Sequence, residues 1–366
     1  MFSLSSFATT INEALTLVYR DNPALKSAIA ELNAIDENAP QAFSGWLPNI
    51  SASFERGKLF TNINNVESDY ISETRSIQIT QPLFRGGNTL ASMKRAEYEI
   101  SAARANVHNT IQNTLLEATT TYLDMLKYQS ILKLSKKTVN VMQSHLDVAK
   151  ELFDLGEITR TDVAQAQVSL AQAQVEHAQA EGLLASTTAI YEQIIGIAPD
   201  DLSFPADPIV MKADLAELID IAVKENPRIE KAHFDVLASE KTISQEKANL
   251  LPSIDLVGAR QEQKGAVFYG GGSSDGDSFT VQVNIPIYQA GLQHSKVRQA
   301  KEKFSQTKYL KENTHNLIKQ QTITAYQNYK IAKASITSEK ASVKASSTAL
   351  KGVEEEAKSG GRTTLD

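Results

Sequence analysis

The chain has 366 residues, of which 42% are hydrophobic, so it can bury a sizeable core. Its formal net charge is -6 and no run of lysine or arginine exceeds two residues, which gives it no electrostatic footprint for nucleic acid. It contains no cysteine, which excludes disulfides, thiolate metal sites and a cysteine nucleophile.

Membrane and export signals are weak in the linear sequence. No apolar stretch approaches the ~20 residues of a membrane-spanning helix, so a membrane crossing would require a β-barrel. The first eight residues lack the basic region and apolar core of an export signal. We therefore expect either that a signal lies outside this sequence or that the protein stays in the cytoplasm.

The first predicted elements are a helical stretch over about 11–43 and then a β-hairpin over about 48–85. Apolar and polar residues alternate in the hairpin, as expected for strands whose two faces meet different surroundings. The polar segment 61–69 is predicted to be its exposed loop. The alternating apolar residues are Ile50, Ala52, Phe54, Ile77 and Ile79.

A long helical hairpin is predicted next, over about 88–197. Apolar residues at three- and four-residue spacing indicate a coiled-coil seam on a first helix over 88–155, roughly 100 Å long at ~1.5 Å per residue. Gly156 to Thr161 is predicted to be the tip, after which an alanine-rich helix returns along the first. The seam includes Met93, Ile100, Val107, Tyr122, Val139, Met142, Leu146 and Ala149.

The chain then repeats itself at an offset of 204 residues. An ungapped match of so many turn and boundary residues is hard to obtain by chance, so we predict two copies of one structural unit. The first copy covers 1–198, a breaker-rich linker covers 199–214, and the second copy covers 215–366. The residues that recur include Asn22-Pro23 as Asn226-Pro227, Leu47-Pro48 as Leu251-Pro252, and Gly156, Thr159 and Asp162 as Gly360, Thr363 and Asp366.

The second copy follows the same order of elements. Helices are predicted over 215–250, a β-hairpin over about 252–288 with a glycine-rich loop at 270–277, and a long helix over about 292–359. The returning helix of the first copy has no counterpart before Asp366. We therefore expect about one long helix of the unit to lie beyond this sequence.

These elements closely resemble the TolC family of outer-membrane efflux and secretion proteins. Two hairpins supply four strands, too few to close a barrel, so we expect three chains to supply twelve. The motifs that carry the resemblance are Gln81-Pro82-Leu83-Phe84-Arg85-Gly86-Gly87, Ile285-Pro286-Ile287-Tyr288-Gln289-Ala290-Gly291, and the tips Gly156-Glu157-Ile158-Thr159-Arg160-Thr161-Asp162 and Gly360-Gly361-Arg362-Thr363-Thr364-Leu365-Asp366.

The resemblance implies a mainly α fold with a small β part. Long antiparallel coiled-coil helices and four strands per chain would contribute to a trimeric twelve-stranded transmembrane β-barrel and an α-helical barrel. It also implies a homotrimer in the outer membrane of a Gram-negative bacterium, in contact with its lipid and extending into the periplasm. The implied partners are a periplasmic adaptor protein and an inner-membrane ABC or RND transporter. Conduction would be passive, with no enzyme activity, cofactor or metal.

The resemblance further implies a periplasmic gate at the helical tips. By position, Thr161 and Asp162 of the first tip and Arg362 and Asp366 of the second match the gate motif, whereas Ala357 replaces the family's usual tyrosine. The two aspartates could instead cap helices, and Arg362 could be a solvated charge near a helix end.

Two alternatives remain open at this point. A soluble periplasmic or cytoplasmic coiled-coil scaffold or adaptor would explain the seams, but not the four alternating strands that recur at the repeat offset. Within the family, the absence of a lipidated cysteine leans marginally towards type I secretion, or a shared duct, over drug efflux.

Overall fold

The computed structural model describes residues 10–63, 66–205, 211, 213–265 and 272–358. Over these ranges the chain is mainly helical, with one antiparallel sheet. The elements, in chain order, are α1 Ile11–Asp21, α2 Pro23–Asp36, α3 Asn38–Phe43, β1 Asn49–Ile63, β2 Val66–Arg85, α4 Asn88–Asp154, α5 Arg160–Ile195, α6 Leu215–Glu225, α7 Pro227–Ala248, β3 Ser253–Lys264, β4 Ser273–Asn284 and α8 Leu292–Lys358.

The chain divides into two compact units. The helical unit consists of Met1–Ile29, Val107–Lys224 and Ile318–Asp366, and the sheet unit consists of Ala30–Asn106 and Glu225–Leu317. In the described part of the chain, no helix is both long enough and apolar enough to cross a membrane.

The helical stretch predicted over 11–43 is broken at Asn22. The side-chain oxygen of Asn22 accepts a hydrogen bond from the backbone N–H of Ala24 at 2.8 Å, and Pro23 begins α2. Proline suits this first position because its missing N–H would have no partner within the helix. The Asn22 amide also donates to the carbonyl of Ile194 at 2.9 Å, so the same residue ends α1 and ties it to α5.

The core of the helical unit gathers one face each of α1, α4 and α5. Tyr122 and Tyr191 are both 0% exposed at its centre. The Tyr122 hydroxyl donates to the carbonyl of Ser203 at 2.7 Å, which fixes the segment that follows α5. The buried residues of this core are Ala14, Val18, Ala118, Tyr122, Met125, Leu126, Tyr191, Ile194, Ile195 and Leu202.

The sheet unit contains an antiparallel sheet in the order β1-β2-β3-β4, so β1 and β4 form its edges. The strands are longer than predicted, because pairing such as Thr61 with Ser68 continues into the segment that we expected to be a loop. The same holds in the second hairpin, where Asp277 pairs with Arg260 within the predicted loop 270–277. Both loop predictions were wrong in extent, since backbone pairing does not require apolar side chains. Residues 64–65 and 266–271 lie outside the described ranges.

The second hairpin ends earlier than predicted. β2 continues to Arg85 because it pairs with β1 on one side and with β3 on the other. Residues 285–288 follow β4, which has a partner strand in this chain on one side only. Pro286 has no N–H for a ladder. β4 therefore stops at Asn284.

The sheet has one apolar and one mostly polar face near the helices. Directly opposed residues share a face, so a row of neighbours crosses all four strands from Ile50 through Ile79 and Gly258 to Phe279. On the opposite face, the Ser53 hydroxyl bonds that of Ser76 at 2.8 Å. The apolar face carries Ile50, Ala52, Phe54, Ile77, Ile79, Leu256, Phe279, Val281 and Val283.

Towards the hairpin turns, the apolar face gives way to paired charges. Arg56 lies 3.3 Å from Glu73, and Arg260 lies 3.3 Å from Asp277. Such exposed pairs contribute little stability each, about 0–1 kcal/mol, but they mark where the apolar band ends.

Hydrogen bonds anchor the long helices to the end of α7 within the sheet unit. The Asn88 amide, at the start of α4, donates to the side-chain oxygen of Asn249 at 2.9 Å. The Gln293 amide, at the start of α8, donates to the backbone carbonyl of Glu246 at 2.7 Å. Both long helices therefore begin from fixed positions.

Candidate functional site: the tip of the α4–α5 hairpin

The backbone of the tip closes α4 with a glycine in a left-handed conformation. Gly156 has φ +81°, its N–H donates to the carbonyl of Phe153 at 2.9 Å, and the N–H of Glu157 donates to that of Leu152 at 2.9 Å. This pair of bonds is a Schellman motif, which satisfies the carbonyls left open at a helix end. Gly156 therefore reverses the chain at the predicted position.

A small apolar cluster holds the two helices together beneath the tip. Leu146 and Ala149 of α4 are buried against Ala166 and Leu170 of α5. The small alanine side chains allow the helix axes to approach, and the cluster gives the tip a packed base. The partly buried residues around it are Val139, Met142, Ile158 and Val163.

Thr159 and Asp162 form a capping box at the start of α5. The Thr159 hydroxyl accepts from the backbone N–H of Asp162 at 3.4 Å, and Oδ2 of Asp162 accepts from the backbone N–H and the hydroxyl of Thr159 at 2.8 and 2.7 Å. These bonds, first of all that from the Thr159 side chain, lower the pKa of Asp162. Asp162 is thus the third residue inside the helix, and Thr159 is the cap.

The structure places two of the four predicted gate residues. Thr161 and Asp162 are adjacent and exposed in the first turn of α5. Arg362 and Asp366 lie outside the described residues, as does the side chain of Ala357. The role of Thr159 could have been recognised from its spacing to Asp162, since Thr-x-x-Asp after a glycine is a capping-box pattern.

Comparison with known proteins places the whole chain in one family. The profile of the family described as "Outer membrane efflux protein" matches residues 14–196 and 218–366. Outer membrane efflux protein BepC of Brucella suis is 31% identical over 365 residues, which is 99% of this chain and 79% of that protein. Outer membrane protein TolC of Escherichia coli is 24% identical over 392 residues, 100% of this chain and 78% of that protein.

The fold agrees with a solved member of the same class. The crystal structure of the outer membrane protein VceC from Vibrio cholerae superposes with a TM-score of 0.78 at 14% identity, covering 97% of this chain and 87% of that one. The chain belongs to the outer membrane efflux protein family. The predicted TolC-family resemblance and fold class are thereby confirmed, and the scaffold alternative is not favoured.

Proposed function

We propose that the chain is one protomer of a homotrimeric exit duct, set in the outer membrane of a Gram-negative bacterium and extending into the periplasm. The observation that carries the trimer is a two-faced sheet of four strands with β1 and β4 as edges. A sheet edge in lipid leaves backbone N–H and C=O groups without partners, at several kcal/mol per group. Three copies supply twelve strands and close the sheet on itself.

The two faces of the sheet suit this arrangement. The apolar face around Phe54 and Val283 would meet lipid, while the face of Ser53 and Ser76 would line a water-filled passage. A passage lined by neutral polar groups transmits solutes without binding them tightly. Conduction is therefore passive in this proposal and involves no catalysis, cofactor or metal.

We further propose that the tips of the helical hairpins close the periplasmic end, through Thr161, Asp162, Arg362 and Asp366. Capping and gating fit the same carboxylate of Asp162, since both bonds from Thr159 go to Oδ2 and leave Oδ1 outside the capping box. An arginine is well suited to pair with such a carboxylate.

The partners in this proposal are a periplasmic adaptor protein and an inner-membrane transporter of the ABC or RND class. The name of the Brucella relative, an outer membrane efflux protein, favours efflux. The marginal preference for type I secretion, drawn from the missing cysteine, stays a prediction. So does the division into copies at 1–198 and 215–366 with a linker at 199–214.

Single-channel conductance in a planar bilayer tests the duct and its gate. Asp162→Asn with Arg362→Gln removes both charges while leaving a carbonyl oxygen for the Thr159 box, and we expect the small resting conductance to rise. Glu157→Gln with Arg160→Gln is the matched control, because it removes the same two charges from the first tip outside the predicted gate.

Each other outcome contradicts one part of the proposal. If both double variants conduct like the wild type, the gate assignment is wrong and the duct stands. If the control opens the channel as much as the gate variant, charge at the tip matters but these residues do not. A folded, inserted trimer that conducts no ions would contradict the duct itself.

A further inference from the structure

The two β-hairpins have the same internal register. Asn49 pairs with Thr80 in the first hairpin, and Ser253 pairs with Asn284 in the second, each exactly 204 residues further along. The correspondence continues to Phe60 with Asp69 and to Lys264 with Ser273. The hairpins are therefore equivalent building blocks, with β3 in the place of β1 and β4 in the place of β2.

The contact between β2 and β3 shows how one hairpin joins the next. Ile77 of β2 lies opposite Ala52 within its own hairpin and opposite Arg260 of the following hairpin. Arg260 comes 208 residues after Ala52, four more than the repeat offset. Each hairpin is thus staggered by four residues relative to the one before it.

The trimer of the proposed function, on which this inference rests, needs one more contact of the same kind. The outer edge of β4 must join the outer edge of β1 in the next copy. Because β4 stands in the place of β2, and β1 in the place of β3, the observed contact between β2 and β3 predicts its register. Ile79 opposite Gly258 corresponds, after a shift of 204 in each strand, to Val283 opposite Phe54.

We propose that β4 of each copy pairs antiparallel with β1 of the neighbouring copy, so that Val283 lies opposite Phe54 and Asn284 lies opposite Ser53. Val283 and Phe54 are 53% and 60% exposed, and both lie on the apolar face. Asn284 and Ser53 lie on the polar face. The pairing continues both faces of the sheet across the boundary between copies.

Other registers are less favourable for identifiable reasons. A slip of one residue sets Val283 opposite Ser53 and joins the apolar face of one copy to the polar face of the next. A slip of two keeps the faces but changes the stagger at this contact from four residues to two or six. Stagger and strand tilt are linked in a closed sheet, so an unequal stagger would make the tilt change from contact to contact.

Disulfide cross-linking tests the register directly, since the chain contains no cysteine of its own. Phe54→Cys with Val283→Cys probes the apolar face, and Ser53→Cys with Asn284→Cys probes the polar face. Within one copy, β1 and β4 are three strand spacings apart, roughly 14 Å, too far for a disulfide to form. Any cross-link therefore joins different copies, and three of them make a ring.

Oxidation of membrane-inserted protein should shift the main band on a non-reducing gel from the mass of one chain to that of three, for both pairs. The slipped combinations, Val283→Cys with Ala52→Cys or with Arg56→Cys, should cross-link much less, and each single variant should stay at the mass of one chain. Reduction should restore the single-chain band in every case.

The outcomes separate this inference from the function on which it rests. Stronger cross-linking of a slipped combination would overturn the register while leaving the trimer intact. Absence of cross-links in all combinations, from protein that light scattering shows to be a trimer, would overturn the contact between β4 and β1. A monomer in the membrane would instead overturn the trimeric duct.

Discussion

Two repeat-related stretches of helix differ sharply in burial, although their sequences follow the same seam. Leu146 of α4 is 5% exposed, whereas Leu350, at the equivalent position of α8, is 60% exposed. All twenty residues of 331–350 in α8 are exposed. α4 has the returning helix α5 against its seam, and no helix among the described residues covers this stretch of α8. A seam pattern therefore identifies a face that is able to be buried, and a partner helix decides whether it is.

The largest expected effect breaks this comparison at its centre. In the 366-residue chain, Leu146→Ala should destabilise the α4–α5 packing by about 2–5 kcal/mol, because it opens a cavity between two helices. Leu350→Ala, the matched control, should change stability by less than about 0.5 kcal/mol. Chemical denaturation followed by circular dichroism measures both. An equal cost at Leu350 would mean that another segment or copy covers this face.

A smaller effect separates burial from hydrogen bonding inside the packed hairpin. Tyr122→Phe removes the donor to Ser203 and should cost about 1–2 kcal/mol, since a carbonyl then loses its partner. The hydroxyl of Tyr191 is buried without a hydrogen bond among the described residues, and burial raises its pKa to about 12. Tyr191→Phe should therefore be neutral or stabilising. Opposite signs in thermal unfolding support this distinction, and equal losses would contradict it.

The smallest effect is at the tip, and it depends on pH. The pKa of Asp162 is lower in the folded chain than the ordinary 3.8, so its contribution is complete above that value and is lost as the pH falls through the folded-state pKa. Amide exchange in the first turn of α5 should be faster in Asp162→Asn than in the wild type at neutral pH. The difference should disappear in acid. A difference that persists there would show that the carboxylate charge is not what supports the turn.

The long helices were predictable almost to the residue. α4 and α8 end one residue before the predicted positions, because three- and four-residue periodicity and the glycines at their boundaries are strong local signals. The break at Asn22 was less evident, since it depends on an amide that also bonds the distant carbonyl of Ile194.

Strand lengths and the candidate gate were harder to predict, for different reasons. Thr61 and Asp277 lie in polar segments without alternation, and long-range backbone pairing rather than local pattern makes them strand residues. At the tip, Gly156 located the turn, and Asp162 was interpreted as either a cap or a gate residue. A single tip cannot separate these roles, because a gate requires groups from other helices. The gate assignment of Thr161, Asp162, Arg362 and Asp366 stays a prediction.

The sheet register also has a consequence for the order of folding. Ile63 and Val66 meet within the first hairpin, whereas Glu73 waits for Lys264, 191 residues further along. At roughly 5–20 residues per second of synthesis, the first hairpin exists for on the order of ten to forty seconds before β3 has been made. Throughout that interval β2 is an open edge able to pair with other chains. The charged residues near the hairpin turn, among them Arg56, Lys58 and Glu73, oppose such aggregation while the chain is still being made.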